Sequence, residues 1–413
     1  MTSSPIPPPR RRRRSVRRRG RSVRRHLVLA AVVAATLSTG APGATAAQRH
    51  DDRIRLQRDA DVFTALGVTG VQARLVTADG RNLTATSGVA DLTARQPVSP
   101  DGYFRTASVT KAFVATVILQ LTGDGRLSLD DPVERWLPGV VSGNGNDGRA
   151  ITVRHLLQHT GGLHDDYPDY TSAEDFERHR YDAHPPEQTV ARAMLHHPDF
   201  RPGRHWGYSN TGYVLLGMII ERVTGHPWHQ EVRDRIVRPL GLDHTFRPGA
   251  SPTLPQPHAR TYQRFEAGGP PVDVTEQVGP GTNGEAGLVS TTADLDRFFR
   301  ALLGGRLLAP AQLRQLTRSV PVGKEFEQLM PGARDGLGVF SRPLSCGGVY
   351  WGHEGGDAGW ITATGVTADG RRSVTLSLSG VLAGSTDEVL RVVRAESRLV
   401  DDALCGSSDT DRH

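Results

Sequence analysis

From Ser108 to Leu121 the chain is apolar on nearly every side of a helix, through Ala112, Phe113, Val114, Val117, Ile118, Leu119 and Leu121. A helix patterned this way is buried on all sides, so the rest of the chain must fold around it. Gly123 and Gly125 end it. Its first turn nevertheless carries a charge, Lys111, three residues after Ser108. The chain has 50 basic residues and only two are lysines; elsewhere it uses arginine. Arginine effectively never loses its proton, whereas a buried lysine shifts its pKa readily and can act as a base. Beside a serine hydroxyl, a deprotonated amine activates a nucleophile. Serine at a helix start is ordinarily a cap. Here the i, i+3 spacing puts Ser108 and Lys111 on one face, and the helix N-terminus offers N–H groups and positive potential to an oxyanion.

The formal charge of +6 does not indicate a nucleic-acid partner. The first 47 residues hold eleven arginines and no acid, and without them 39 basic residues face 44 acidic ones, a charge of −5. Residues 1–47 have the order of a secretory signal: an arginine-rich start ending at Arg25, an apolar run from Leu27 to Leu37 too short to span a bilayer, then Ala44-Thr45-Ala46. Export is expected, by the general or the twin-arginine route, with a secreted product that keeps no membrane span. Two cysteines, Cys346 and Cys405, follow. In an oxidising compartment an even, minimal count favours one disulfide over two free buried thiols; it would close a loop of about 60 residues, worth about 4 kcal/mol. Neither cysteine has a metal-ligand spacing, and no cofactor or metal is expected.

A chain of this length exceeds a typical single core, so one large domain with an insertion, or two lobes, is expected. Gln48 to Asp61 reads as a charged lead-in. Val71 to Ala90 reads as a hairpin turning at Asp79-Gly80. The hexapeptide Val-Thr-Ala-Asp-Gly-Arg recurs at 76–81 and 366–371, placing hairpins near both chain ends where they can join one antiparallel sheet. Between them Val153–Gln158, Thr189–Leu195, Gly212–Val223, Trp228–Val237 and Thr292–Leu303 read as helices. Residues 250–285 read as loop and 406–413 as a disordered tail.

Two further patterns can serve Ser108 and Lys111. Trp206-Gly-Tyr208-Ser-Asn210 offers a phenol able to share a proton with the lysine and an amide able to hold a substrate amide. Tyr350-Trp-Gly-His353-Glu-Gly355-Gly356 precedes a strand near 361, and its glycines let a substrate backbone approach.

In this order the three patterns resemble the serine β-lactamase and penicillin-binding protein family, above all its class C and actinomycete D-alanyl-D-alanine carboxypeptidase branch, which carries Ser-x-x-Lys, Tyr-x-Asn and His-x-Gly. Connecting segments are similar too: Leu127-Ser-Leu-Asp-Asp-Pro-Val, the run from Ile151 to Leu163, Ser209-Asn-Thr-Gly-Tyr-Val-Leu-Leu-Gly217 and Gly287-Leu-Val-Ser-Thr-Thr-Ala-Asp-Leu295. The resemblance covers about 55 to 405. It implies an α+β fold of the β-lactamase/transpeptidase type, with a five-stranded antiparallel sheet flanked by helices. The expected domain is 48–405, with the α/β lobe at about 55–105 and 285–405 and an inserted helical lobe at about 106–284. It further implies Ser108 as the acylated nucleophile, Lys111 and Tyr208 as proton acceptors, and His353 against Tyr208. Asn210, Gly355 and Gly356 would bind substrate, the N–H groups of Ser108 and Gly356 would form the oxyanion hole, and Cys346 would be bridged to Cys405. His159 resembles a structural position and receives no catalytic role.

The chain departs from the carboxypeptidase pattern at His353-Glu354-Gly355-Gly356. The hydroxyls that would receive a substrate carboxylate are gone and an acid stands between. Glu354 either faces the cleft and repels a carboxylate or faces away; Arg342 is a substitute anchor. The expected activity is that of a secreted serine acyl hydrolase, first a D-alanyl-D-alanine carboxypeptidase-like enzyme, with esterase, D-aminopeptidase or amidase and β-lactamase as alternatives. The expected partners are small peptide, amide, ester or β-lactam substrates, peptidoglycan stem peptides among them, acting on a monomer. A non-catalytic penicillin-binding or sensor module is the alternative of another class. Metal-dependent hydrolysis is not indicated: no His-Glu-x-x-His run is present, and the His164-Asp165-Asp166 cluster reads as solvated surface.

Overall fold

The hairpins at the two ends of the chain meet. The structure, a computed structural model, describes residues 46–167, 169–278, 283–382 and 385–406; the expected signal segment up to residue 45 and the expected tail from 407 lie outside it. Helix α1 (Ala46–Ala65) leads into strands β1 (Val68–Val76) and β2 (Asn82–Gly88). After helices α2 (Thr110–Gly123), α3 (Asn210–Thr224) and α4 (Thr292–Leu303) come strands β3 (Phe340–Pro343), β4 (Val349–Gly352), β5 (Glu354–Asp357), β6 (Trp360–Thr367) and β7 (Ser373–Val381), then helix α5 (Thr386–Cys405). Strand β1 pairs β7 antiparallel, Val71 opposite Leu378. The sheet runs β2-β1-β7-β6, where β4 and β5 both pair β6, and continues through β3 to the short strands Arg334–Asp335 and Val320–Pro321. It thus extends beyond the five strand positions expected. The repeated hexapeptide makes equivalent turns: Thr77 donates to Asp79, and Thr367 to Asp369.

The two faces of the sheet are packed differently. Val71, Ala73 and Leu75 of β1 alternate toward Leu56, Ala60 and Phe63 of α1 and Leu399, Val400 and Leu404 of α5, in one apolar cluster. The charged lead-in is therefore a helix; its apolar residues at i, i+4 and i+7 form a narrow stripe that its many charges conceal. The opposite face carries Arg74, whose Nε donates to Thr292 of α4 at 3.0 Å. Beneath α4 lies the helix expected to be buried: every residue of α2 from Thr110 to Leu119 is buried, and Phe113 stacks on Phe298 with ring centroids 3.7 Å apart. Fully burying such side chains stabilises by about 1.5–3 kcal/mol each.

Most helical expectations hold within a few residues. The described residues of the segment 250–285 are loop apart from the ribbon Tyr262–Gln263 with Val272–Asp273. Helix α5 was not anticipated, although Ser385 accepts from the N–H of Glu388 at 3.3 Å, the first half of a capping box visible in Ser-x-x-Glu. Cys346, in the β3–β4 turn, is bonded to Cys405 at the end of α5, Cα atoms 5.7 Å apart. No helix among the described residues is long and apolar enough to cross a membrane.

Candidate active site

Ser108 sits in a single tight turn, Ala107–Val109, that feeds α2. Ala107 has φ of 47°, a left-handed conformation that a residue with a side chain adopts at a cost. Lys111 follows on the first turn of α2 with its side chain fully buried. Its Nζ lies 2.9 Å from Ser108 Oγ, 2.7 Å from Asn210 Oδ1 and 2.8 Å from the backbone oxygen of Glu285. The last two groups can only accept. A neutral amine has two N–H donors for them and one lone pair left for the serine hydroxyl. Burial drives Lys111 toward that neutral form, holding it well below the ordinary lysine value, with Glu285 and Asp165 opposing.

Asn210 is the first residue of α3, with Ser209 as cap. Its Nδ2 donates to Asp165 at 3.0 Å, and Asp165 also accepts the backbone N–H groups of Asn210 and Thr211. Asp165, read from sequence as surface, thus fixes which way the amide points, and Asn210 turns its oxygen on Lys111. Only the second Nδ2 hydrogen is left to meet a substrate. Burial raises the Asp165 carboxyl, its hydrogen bonds opposing.

Tyr208 lies flat between two rings, His159 at 4.3 Å and Phe326 at 5.3 Å between centroids. Its ring faces Lys111 Nζ at 5.0 Å, and it lines the cleft beside Ser108. Burial pushes the phenol far up, so Tyr208 keeps its proton. The histidine packed on Tyr208 is His159 and not His353, as the resemblance implied. His159 is buried with φ of 52°, and its Nδ1 accepts the N–H of Ser209 at 3.2 Å. His353 packs edge-on against Phe340. Its Nδ1 faces the carbonyl of Glu354 at 2.5 Å, an acceptor, so Nδ1 carries the hydrogen and the buried Nε2, without a partner, is bare. Burial and then the Lys111 charge push His353 down to about 3.

Strand β5 closes the site from the other side. A side chain at Gly355 would put Cβ 2.4 Å from Thr106 O and 3.0 Å from Ser108 N, so only glycine lets the strand lie against the Ser108 turn. Gly356 faces open space. A cleft of about 400 Å³ runs over Ser108, Tyr208, Asn210, His353 and Gly356 and on to Glu354. Glu354 faces this cleft and accepts from Arg342 at 2.7 Å. Arg342, the substitute carboxylate anchor from sequence, is thereby occupied, its other terminal nitrogen donating to Ser397 at 2.7 Å.

Sequence reasoning missed Asp165, Glu285, Phe326 and Glu396, whereas His159, read as structural, packs on Tyr208. Glu285 is fully buried beside Lys111, and burial pushes its carboxyl up. A lone acid in a glycine-rich loop carries no periodic signal, and Phe326 and Glu396 reach the cleft from elements joined to it only by tertiary packing.

The family model for beta-lactamase matches residues 29–396. The structure resembles a D-stereospecific amidohydrolase from Streptomyces sp. with a TM-score of 0.76 and 38% identity, covering 86% of this chain and 99% of that one. Penicillin-binding protein 4* of Bacillus subtilis is 31% identical over 233 residues, 52% of this chain and 48% of its own, so this chain spans about half of that relative's length. Esterase EstB of Burkholderia gladioli is 29% identical over 305 residues, covering 64% of this chain and 75% of the esterase. The α+β architecture, the order of the three patterns and a family match through nearly the whole described chain agree, and this chain belongs to the beta-lactamase family of serine hydrolases.

Proposed function

We propose that this chain hydrolyses amide bonds of D-aminoacyl amides or short peptides through an acyl-enzyme on Ser108. The observation that carries the chemistry is the set of partners around Lys111, two obligate acceptors and the Ser108 hydroxyl, which a neutral amine meets with two N–H donors and one lone pair. In this reading the Lys111 lone pair takes the Ser108 proton as Oγ attacks the carbonyl carbon. The oxyanion settles between the N–H groups of Ser108 and Gly356. Tyr208, which keeps its proton, gives it to the leaving nitrogen as the C–N bond breaks, and the charged Lys111 resupplies it. Water then attacks the ester by the same path in reverse. His159 and Phe326 hold the Tyr208 ring in place, and Asp165 holds Asn210.

The substrate class rests on Glu354. With Arg342 taken, no arginine or lysine lines the cleft among the described residues, so a terminal carboxylate would meet an acid and no cation. That gives the carboxypeptidase alternative less support, and the likeness to the D-stereospecific amidohydrolase from Streptomyces sp. supports an amide of D configuration. The arginine-rich start and the apolar run at 27–37 support export.

The test has two steps. A fluorophosphonate or fluorescent penicillin labels the protein, and Ser108→Ala abolishes the label; labelling that persists removes Ser108. Purified protein is then given a D-aminoacyl amide, a D-Ala-D-Ala peptide, a short-chain ester and a cephalosporin. The amide is expected to show the highest kcat/KM of the amide and peptide substrates, and a higher value for the D-Ala-D-Ala peptide would restore the carboxypeptidase reading.

A further inference from the structure

One wall of the cleft is built by two acids from distant parts of the chain, Glu354 of β5 and Glu396 of α5. Glu396 is only 3% exposed. Burial and the neighbouring Glu354 hold the Glu396 carboxyl well above the usual carboxylate range, toward its protonated form. Glu354 accepts from Arg342. The Arg342 guanidinium, the Glu354 carboxylate and a protonated Glu396 make the cluster neutral. One oxygen, Glu396 Oε1, is buried with no partner in the protein. A buried polar atom left this way is costly and calls for an explanation, and this one lies on the wall of an open cleft. Phe326, Leu329, Met330 and Ile361 surround the pair with apolar surface.

We propose that the Glu354–Glu396 pair is the binding subsite for a primary ammonium group of the substrate, with the apolar wall taking the hydrocarbon beside it. The proposal rests on the hydrolase reading above only for what happens to the substrate afterwards. On binding, the Glu396 O–H bond breaks and its proton leaves to solvent. The ammonium keeps its three hydrogens and donates to the freed carboxylate oxygens. The cluster passes from neutral to one negative charge, matched by the ligand's positive charge, and the unpartnered oxygen gains a donor. The groups facing Glu396 from the packed elements are Glu354 on β5, Arg342 on β3 and Tyr350 on β4. Burial and then the Glu354 charge hold Glu396 well above the usual carboxylate range, Arg342 opposing, so a proton is present to be released. The ammonium is carried either by the acyl part of the substrate or by its leaving group.

Calorimetry on the full-length Ser108→Ala protein tests the subsite without turnover. 2-Phenylethylamine is expected to bind at least about tenfold tighter than 2-phenylethanol, as a charge-assisted hydrogen bond provides. Amine binding should also release a proton, seen as a heat that changes with the ionisation enthalpy of the buffer. In Glu396→Gln the affinity ratio should fall toward one. Equal affinities, no proton release, or an unchanged ratio in Glu396→Gln would each overturn the proposal. If Glu396→Gln does not fold, the proton count on the Ser108→Ala protein decides. Turnover by the unaltered enzyme locates the charge. D-phenylalaninamide against its N-acetyl form reads the acyl side; N-acetyl-D-phenylalanine 2-aminoethylamide against the 2-hydroxyethylamide reads the leaving side. A preference for the amine in either pair supports the subsite, and in neither overturns it. Amine binding without Ser108 labelling removes the hydrolytic reading and keeps the subsite; labelling without amine preference does the reverse.

Discussion

Gly355→Ala places a single methyl group where β5 meets the Ser108 turn. The new Cβ would stand 2.4 Å from Thr106 O, 3.0 Å from Ser108 N and 3.1 Å from the Ala107 side chain. None of these can swing aside. Thr106 is held through its N–H to Leu288 O at 3.0 Å, and its own oxygen accepts from Val109 N at 3.2 Å. Restoring an ordinary contact of 3.4 Å therefore moves the strand or the turn by about 1 Å. That shift parts the N–H groups of Ser108 and Gly356, which the proposed mechanism needs together. A misplacement of this size costs about 10²-fold in rate, and loss of one oxyanion donor about 10² to 10³-fold. The expected result is a kcat/KM about two to three decades lower on a chromogenic ester, with an equal fall in the rate of fluorophosphonate labelling. Overpacking also destabilises by about 1–3 kcal/mol, so melting occurs at lower temperature. Gly356→Ala is the steric control: its Cβ meets nothing within 4 Å, so its melting temperature should stay at the parent value. A Gly355→Ala enzyme within about threefold of the parent in kcat/KM would refute the close approach of β5 as a requirement of the site.

Three further outcomes are expected. Lys111→Arg should be nearly as inactive as Lys111→Ala in labelling kinetics, because a guanidinium does not give up its proton; substantial arginine activity would show that charge alone matters. The pH profile of kcat/KM should rise with pH and level off below the ordinary lysine range. The lowered Lys111 is charged and inert on the acid side of its titration and neutral above it, and a flat profile from pH 5 to 9 would contradict this. Asp165→Ala should reduce kcat by about 10- to 100-fold with little change in KM, by freeing the Asn210 amide to rotate off Lys111; an effect confined to KM would place Asp165 in substrate binding.

What sequence could reveal here depended on locality. The all-round burial of α2, the hairpin at Asp79-Gly80 and the spacing of Ser108 and Lys111 are properties of neighbouring residues, and all three are present in the fold. Tyr208 and His353 were found by type and order, but order could not say which histidine would lie on the phenol. That was decided by the left-handed turn at His159, which tips its ring onto Tyr208. Asp165 was misread because its acidic neighbours are solvated, whereas its own carboxyl caps α3. The orientation of Glu354 was left open between two faces, and Arg342 resolves it through a contact across twelve residues of chain.

The hairpin that carries Arg342 and the helix that carries Glu396 are joined three times: Arg342 to Ser397, Ser345 to Asp401, and Cys346 to Cys405. Nucleophile and base belong to other elements, α2 and the turn before it. The far wall of the cleft is in effect a separate part, fastened along one edge and covalently locked at its end. Loosening that fastening, by reduction or by trimming the last helix, would act first on the positions of Glu396 and Arg342.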